Sequence, residues 1–220
     1  MKLILSLSRN ETTVPFDYQQ KLTGVIHRWL GVNELHDKIS LYSFSFLLGG
    51  TITKNGFDFK NGAKWAISFF EDKYTKQLIA SILENPEVIC GMYVQDIVIA
   101  ETSYRENEGL FLLNSPICIK RTDSNRKIKF YTFEDSESGN LMRETLLHKM
   151  QEAGLEKDDS LSIEFDLTYA KRKTKLITIH GIKNKCSMCP VFIKGKPETI
   201  SFALSVGIGN LTGSGFGSIC

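Results

Sequence analysis

A short apolar run, Phe202-Ala-Leu-Ser-Val206, leads directly into Gly207-Ile-Gly209-Asn-Leu-Thr-Gly213-Ser-Gly215-Phe-Gly217. The run predicts a last β-strand over residues 199–206. Five glycines in eleven positions cost backbone entropy, so we expect positive φ angles or a close backbone approach there. We expect no helix to follow, and the spacing does not match G-x-G-x-x-G, which argues against a nucleotide loop. The segment therefore predicts a surface that faces a long polyanion or another part of the same protein.

The composition is that of an ordinary globular protein. The 220 residues are 42% hydrophobic and 24% charged, enough for one large or two small domains. No apolar run approaches the roughly 18 residues of a membrane span, so no membrane association is expected. Five scattered cysteines predict reduced thiols and a cytoplasmic protein. Cys186-Ser-Met-Cys189 is a single pair, whereas zinc takes about four ligands, so we expect neither a metal site nor a cofactor.

The net charge of +2 conceals one strongly basic segment. Residues 167–197 contain no acidic side chain but eight cationic ones: Lys171, Arg172, Lys173, Lys175, Lys183, Lys185, Lys194 and Lys196. Such a concentration produces the local positive field that phosphate binding requires. A solvated hairpin with lysines for solubility is the alternative. The basic segment leads directly into the glycine-rich end, which favours phosphate binding.

The element order predicts an α+β protein with two tandem ferredoxin-like (RRM-like) domains. In the first, strand 2–8 precedes helix 18–30, strands 41–53 and 64–70, helix 73–83 and strand 88–100, which is the β-α-β-β-α-β order. The second has strands 110–120 and 127–133, a helix over 141–150, and strands 161–169, 175–179, 191–194 and 199–206. The polar stretch 104–109 predicts a linker, so the domains are expected at 1–104 and 105–220.

The first predicted helix has an apolar face and one histidine away from it. Its apolar side chains recur with helical spacing: Leu22, Val25, Ile26, Trp29 and Leu30. At 100° per residue, His27 lies well off this face and is expected to face solvent or a neighbouring surface.

At this point the chain resembles a known family. Gly207, Gly209, Gly215 and Gly217 form G-x-G-x5-G-x-G near the C-terminus, the glycine-rich loop of the RAMP superfamily. Weaker local similarities are Pro15-Phe-Asp-Tyr18, Gly24-Val-Ile-His27, Leu35-His36-Asp37, Leu41-Tyr-Ser-Phe44 and Asn85-Pro-Glu-Val88. Together these are similar to the CRISPR-associated endoribonucleases that cut precursor CRISPR RNA within each repeat.

The resemblance implies metal-independent cleavage in which the RNA 2′-hydroxyl attacks the adjacent phosphorus. This reaction needs a base, an acid for the leaving 5′-oxygen and a cation for the phosphorane. By resemblance, His36 corresponds to a general-base histidine, His27 to a tyrosine on the helix, and Lys38 to a lysine that stabilises the transition state. His27 and His36 either divide the acid and base work or only one of them acts.

The resemblance also implies a CRISPR repeat RNA as the partner. The residues expected to bind it are Lys171, Arg172, Lys173, Lys175, Lys183, Lys185, Gly207, Gly209, Asn210, Gly213, Gly215 and Gly217. The glycine loop either brings backbone amides to the RNA or packs the two halves together. Assembly into a larger CRISPR effector complex and pairing of two chains both stay open.

Two other classes of function compete with the nuclease. RAMP-type folds also serve as non-catalytic RNA-binding subunits of effector complexes. A ferredoxin-like regulator that binds a small ligand would fit the fold but leaves the basic segment unexplained. Cleavage of RNA separates the first two classes, and dependence on a repeat RNA separates both from the third.

Overall fold

A computed structural model describes residues 1–31, 39–179 and 181–220. The N-terminal half contains β1 (Lys2–Leu7), α1 (Gln19–Leu30), β2 (Tyr42–Phe44), β3 (Thr51–Thr53), β4 (Gly56–Asp58), β5 (Ala63–Phe69), α2 (Asp72–Glu84) and β6 (Val94–Ala100). The C-terminal half contains β7 (Glu108–Phe111), β8 (Ile119–Thr122), β9 (Ile128–Tyr131), α3 (Ser138–Glu152), β10 (Ser162–Phe165), β11 (Lys173–Ile179), β12 (Ile182–Met188), β13 (Val191–Lys194) and α4 (Pro197–Val206). None of the helices in these ranges is long and apolar enough to cross a membrane.

The first half is a ferredoxin-like unit with β1 at the centre of its sheet. The strand order is β2-β5-β1-β6, with antiparallel neighbours throughout, and the hairpin β3-β4 is an insertion between β2 and β5. Alternate residues of β1 are fully buried, namely Leu3, Leu5 and Leu7. Each such side chain contributes about 1.5–3 kcal/mol when it leaves water.

Helix α1 packs its predicted apolar face into this half. Leu22, Val25, Ile26, Trp29 and Leu30 are all buried, as the spacing predicts. The ring centroids of Trp29 and Trp65 lie 5.9 Å apart, which joins the helix to the sheet. The helix ends at Gly31, where φ is 58°, and the Gln77 side chain donates to the Leu30 carbonyl at 2.6 Å.

The second half repeats the same topology with a different last strand. Its sheet has the order β10-β13-β7. The final residues extend it, since the backbone N–H groups of Leu112 and Cys220 each donate to the other's carbonyl at 2.9 Å. The C-terminal end of the chain therefore takes the place of the fourth ferredoxin strand, and the protein consists of two tandem ferredoxin-like units. The domain boundary between residues 104 and 105 stays a prediction. Tyr104 packs against the hydrophobic core of the second half.

The strand predicted over residues 199–206 is wrong, because this segment is the helix α4. Pro197 stands at its first turn, Glu198 is the acidic residue of that turn, and Gly207 caps its end with φ of 72°. A first-turn proline, an N-terminal acid and a glycine after the last residue are the usual helix signals. The short apolar run satisfies strand and helix patterns equally well, and these signals at its ends decide between them.

The glycine loop, residues 207–217, connects α4 to the last three residues of the chain, which pair with residues 112–114, and it is folded back on itself. Its four motif glycines all have positive φ, from 66° to 85°. The N–H of Ile208 donates to the carbonyl of Gly217 at 2.9 Å, and the N–H of Gly217 donates to that of Pro116 at 2.8 Å. A Cβ on Gly217 would overlap the Ile208 carbonyl oxygen, so no larger residue fits this crossing.

The same loop packs the two halves against each other. On the first half, the Tyr42 hydroxyl donates to the Gly213 carbonyl at 3.1 Å, and Gly215 lies against the ring of Phe44. On the second, the N–H of Asn210 donates to the Cys118 carbonyl at 2.8 Å. A short 3₁₀ turn, Thr212–Ser214, contacts both α1 and β2. Packing of the two halves was one of the two roles expected for the loop, and these contacts show it.

Replacing Gly215 by alanine tests this packing. Gly215 has φ of 85°, and a Cβ there would lie 2.7 Å from a carbon of the Phe44 ring. We expect Gly215→Ala to lower the free energy of unfolding by about 3 kcal/mol, from the left-handed conformation and the clash together. Urea denaturation measures this change.

Gly154→Ala is the matched control. Gly154 has φ of 71° but nothing within 4 Å of the position of its Cβ, so only the conformational cost of about 1 kcal/mol applies. Equal losses in the two variants would contradict a packing role for Gly215.

Candidate nucleic-acid interface and active site

The glycine loop residues expected to bind RNA are mostly inaccessible from solvent. Gly207, Gly209, Gly213, Gly215 and Gly217 are all buried. Asn210 is half-buried, and its side-chain oxygen accepts a hydrogen bond from the N–H of Lys120 at 2.9 Å. These contacts explain the residues' structural role. Their contact with RNA stays a prediction.

The middle of the basic segment forms the antiparallel hairpin β11-β12. Register places Thr178 opposite Lys183 and Leu176 opposite Lys185, so these four side chains share one face. All four are exposed. The face is cationic and open to solvent, with the exposed Leu176 beside the two lysines.

The six predicted cations of this segment do not form one cluster. Lys173 and Lys175 lie on the opposite face of the hairpin from Lys183 and Lys185, as the register shows. Burial lowers the pKa of Lys175, and the neighbouring charge of Lys173 lowers it further. Lys171 and Arg172 precede the hairpin, and the Arg172 guanidinium lies 5.9 Å from the centroid of the Phe133 ring. The structure therefore brings the predicted cations together in three groups.

The inner face of the hairpin packs on the glycine loop. Ile177, Ile179 and Cys186 form a small core with Phe216 of the loop. Phe46 of the first half and Phe130 of β9 pack against this core. The basic hairpin is thus held at the place where the two halves and the glycine loop meet.

A second cationic hairpin, β8-β9, lies beside the first. Its exposed side chains include Arg126, Lys127 and Lys129, and β9 contacts β12. Ser187 of β12 joins the two hairpins, because its backbone pairs with Ile117 and its hydroxyl accepts from the N–H of Phe133 at 2.9 Å. Sequence reasoning missed this surface. Residues 120–129 contain several cations, but Asp123 lies among them, so this stretch does not stand out as a segment free of acidic residues.

The exposed lysines of the two hairpins form no ion pair within the part of the chain that the structure describes. Among the described residues, no ion pair involves the side chains of the β11-β12 hairpin or of Lys127 and Lys129. A positive surface without internal counter-charges keeps its field available for an external anion.

Of the three predicted catalytic residues, the structure describes His27. It lies in the last turn of α1 and is half-buried. The residues around it are anchored on the loop after α2: Arg28 donates to the Glu87 carbonyl, and the indole N–H of Trp29 donates to that of Asn85 at 2.8 Å. The turn that carries His27 is therefore fixed at its base.

His36 and Lys38 lie outside the described residues. The chain on either side of them is anchored: Gly31 ends α1, and Ser40 lies directly against Gly213 of the glycine loop. The described part of the candidate site is thus α1 with His27, the 3₁₀ turn that α1 contacts, and the start of β2.

The cysteines do not form a metal site in the part of the chain that the structure describes. No group of three or more His, Cys, Asp or Glu side chains there is placed to hold an ion. Cys186 lies in the small core, and its hydrogen bond with Cys118, together with burial, raises the pKa of its thiol. Burial raises the pKa of Cys189 to about 11, and its Sγ lies 3.4 Å from the Asp166 carbonyl oxygen. These two thiols are uncharged at neutral pH.

Solved structures share this fold along the whole chain. A protein characterised as the product of a Cas6-related gene from Pyrococcus furiosus is 21% identical, with a TM-score of 0.87 over 100% of this chain and 97% of its own. A RAMP protein described as binding different RNA substrates is 20% identical, with the same TM-score over 100% and 98%. A Cas6 product complex is 11% identical, with a TM-score of 0.73 over 99% and 98%. At these identities the likeness shows the fold.

The family follows from the sequence of the C-terminal part. No curated protein matches the chain. Residues 99–220 match the family model described as CRISPR associated protein Cas6, C-terminal. Because this match covers more than half of the chain, the protein belongs to the Cas6 family, whose members process precursor CRISPR RNA.

Proposed function

We propose that this protein is a metal-independent endoribonuclease that cleaves precursor CRISPR RNA within its repeats. The RNA 2′-hydroxyl attacks the adjacent phosphorus and the 5′-oxygen leaves, which gives a 2′,3′-cyclic phosphate and a 5′-hydroxyl. The observation that carries the proposal is a juxtaposition. Helix α1, which bears His27, contacts the 3₁₀ turn of the glycine loop, and the basic hairpin packs on the same loop.

The chemistry assigns a role to each candidate residue. A general base takes the proton of the 2′-hydroxyl, and a general acid protonates the 5′-oxygen as it leaves. Histidine suits both roles because its ordinary pKa lies near neutral pH. In this proposal His36 is the base, His27 is the acid, and the Lys38 ammonium stabilises the phosphorane charge.

The RNA lies on the cationic surface in this proposal. Repeat RNA is held through its phosphates and its shape, and unpaired bases are contacted singly. Lys183 and Lys185, on the exposed face of the β11-β12 hairpin, bind phosphates of the RNA. The other two groups of cations in the segment bind further phosphates of the same RNA: Lys171, Arg172, Lys173 and Lys175. The β8-β9 hairpin extends this surface with Lys127 and Lys129.

A non-catalytic RNA-binding subunit of a CRISPR effector complex is the second candidate. The observation that favours it is the likeness to the RAMP protein described by its RNA binding, whose TM-score equals that of the Cas6-related protein. The two candidates share the RNA surface and differ only in cleavage.

Cleavage of repeat RNA in EDTA tests the nuclease. We expect the wild-type protein to cut in EDTA, and His27→Ala and His36→Ala each to lower the single-turnover rate by about a hundredfold or more, since each removes a proton-transfer group. His148→Ala is the control, because this histidine is 60% exposed on α3, where it pairs with Glu152.

Three outcomes would count against this assignment. Loss of wild-type cleavage in EDTA would contradict the metal-free mechanism. Unchanged rates in both histidine variants would contradict their roles. Tight binding without any cutting by the wild type would favour the non-catalytic subunit.

Charge reversal on the outer hairpin face tests the RNA surface. We expect Lys183→Glu with Lys185→Glu to weaken RNA binding at least about tenfold and to lower the slope of log Kd against log salt by about two, one for each lost phosphate contact. Fluorescence anisotropy over a salt series measures both quantities.

Lys54→Glu with Lys60→Glu makes the same charge change in and next to the β3-β4 hairpin of the first half, where both lysines are exposed. We expect a smaller loss of affinity there. Equal losses from the two double variants would show a general charge effect and would count against the proposed surface.

A further inference from the structure

Lys149 of α3 is an ionisable side chain that is buried inside the protein. It is 2% exposed. Its Nζ donates to the Val206 carbonyl at 2.9 Å, to the Gly207 carbonyl at 3.4 Å and to the Thr212 hydroxyl at 2.9 Å. A lysine amine is almost never buried without partners, and here three acceptors converge on it.

Each acceptor belongs to the end of α4 or to the glycine loop. The carbonyls of Val206 and Gly207 stand at the C-terminus of α4, where helix carbonyls lack partners within the helix and a cation is favoured. Thr212, itself 1% exposed, begins the 3₁₀ turn. Burial lowers the pKa of Lys149 to about 7, which marks this as a costly place for an amine. The amine therefore ties the end of the helix to the turn, across the base of the loop.

The turn that Lys149 holds is the one that contacts the first half. Next to Thr212, the Gly213 carbonyl accepts the hydrogen bond from Tyr42 at 3.1 Å. Ser40 lies so close to Gly213 that a Cβ there would overlap its hydroxyl. Two steps thus connect Lys149 to the start of β2, first through Thr212 and then through Gly213.

We propose that Lys149 is a positioning residue, whose amine holds the glycine loop in the shape that fixes the start of β2 beside α1. Its effect on cleavage rests on the proposed nuclease function, in which α1 and the chain that leads into β2 supply the acid and the base. Lys149 touches no RNA in this account. It acts through Thr212 and Gly213.

Thr212→Val is the variant that tests the connection most gently. It removes the hydroxyl that joins the amine to the turn and preserves the shape of the side chain, while Lys149 keeps its two carbonyl partners. Lys149→Met removes all three hydrogen bonds and leaves buried carbonyls unsatisfied. It is therefore expected to lower the free energy of unfolding more than Thr212→Val does. Thr75→Val is the matched control, since the Thr75 hydroxyl is buried in α2 without a hydrogen-bond partner among the described residues.

Hydrogen exchange read by mass spectrometry gives an answer that does not depend on activity. We expect Thr212→Val and Lys149→Met to speed exchange in peptides from both residues 207–217 and residues 39–47. Thr75→Val is expected to change neither. Faster exchange confined to the glycine loop, with residues 39–47 unchanged, would overturn the proposal.

Cleavage provides the second readout. With repeat RNA under single-turnover conditions, Thr212→Val is expected to lower the rate about tenfold, with a Kd for RNA within about twofold of the wild-type value. A wild-type rate in Thr212→Val, or a loss confined to Kd, would contradict a positioning role. If the wild type itself does not cut, the proposed function fails, and the exchange experiment still decides the role of Lys149.

Discussion

The close packing of the glycine loop between the two halves is the constraint on which the rest of the structure depends. A side chain on Gly209 would overlap the Cys118 carbonyl, and one on Gly215 would overlap the Phe44 ring. Within the loop, a side chain on Gly217 would overlap the Ile208 carbonyl. Because the loop touches α1 and β2 on one side and carries the small core under the basic hairpin on the other, it sets the distance between the candidate catalytic helix and the candidate RNA surface. The glycine motif near the end of the chain thus packs the two halves against each other.

The lysines near the glycine loop differ in their surroundings. Lys183 and Lys185 of β12, and Lys127 and Lys129 of the β8-β9 hairpin, form no ion pair among the described residues. The Lys149 amine, by contrast, is enclosed and donates to the Val206 carbonyl and the Thr212 hydroxyl. An exposed cationic surface of this kind suits an anionic ligand whose binding weakens as the salt concentration rises. The buried amine serves geometry instead. Lys183 and Lys185 are thus exposed to solvent, whereas Lys149 is buried and hydrogen-bonded within the protein.

The sequence predicted the features that depend on local patterns. The buried face of α1, the positive φ angles of the motif glycines and the first ferredoxin-like half are all confirmed. The helix α4 was missed because an apolar run of five residues has no decisive period, and the signals at its ends carry the information. The division of the hairpin lysines between two faces depends on register, which the sequence pattern does not determine.

Features that depend on contacts between distant residues could not be predicted at all. Nothing in the local sequence around Lys149 indicates burial, because charged side chains are normally exposed. Its burial follows only from the three acceptors that the end of α4 and the loop place around it. The roles of His27, His36 and Lys38 stay predictions, and the latter two lie outside the described residues.

Replacing one 2′-hydroxyl of the repeat RNA, on the nucleotide before the cut, by hydrogen tests the central claim most directly. If the 2′-oxygen is the nucleophile, the deoxy RNA will bind with a Kd close to that of the unmodified RNA and will not be cut at that position, since the attacking group is gone. Cleavage of the deoxy RNA at the same phosphate would mean that another nucleophile acts, and would contradict the account.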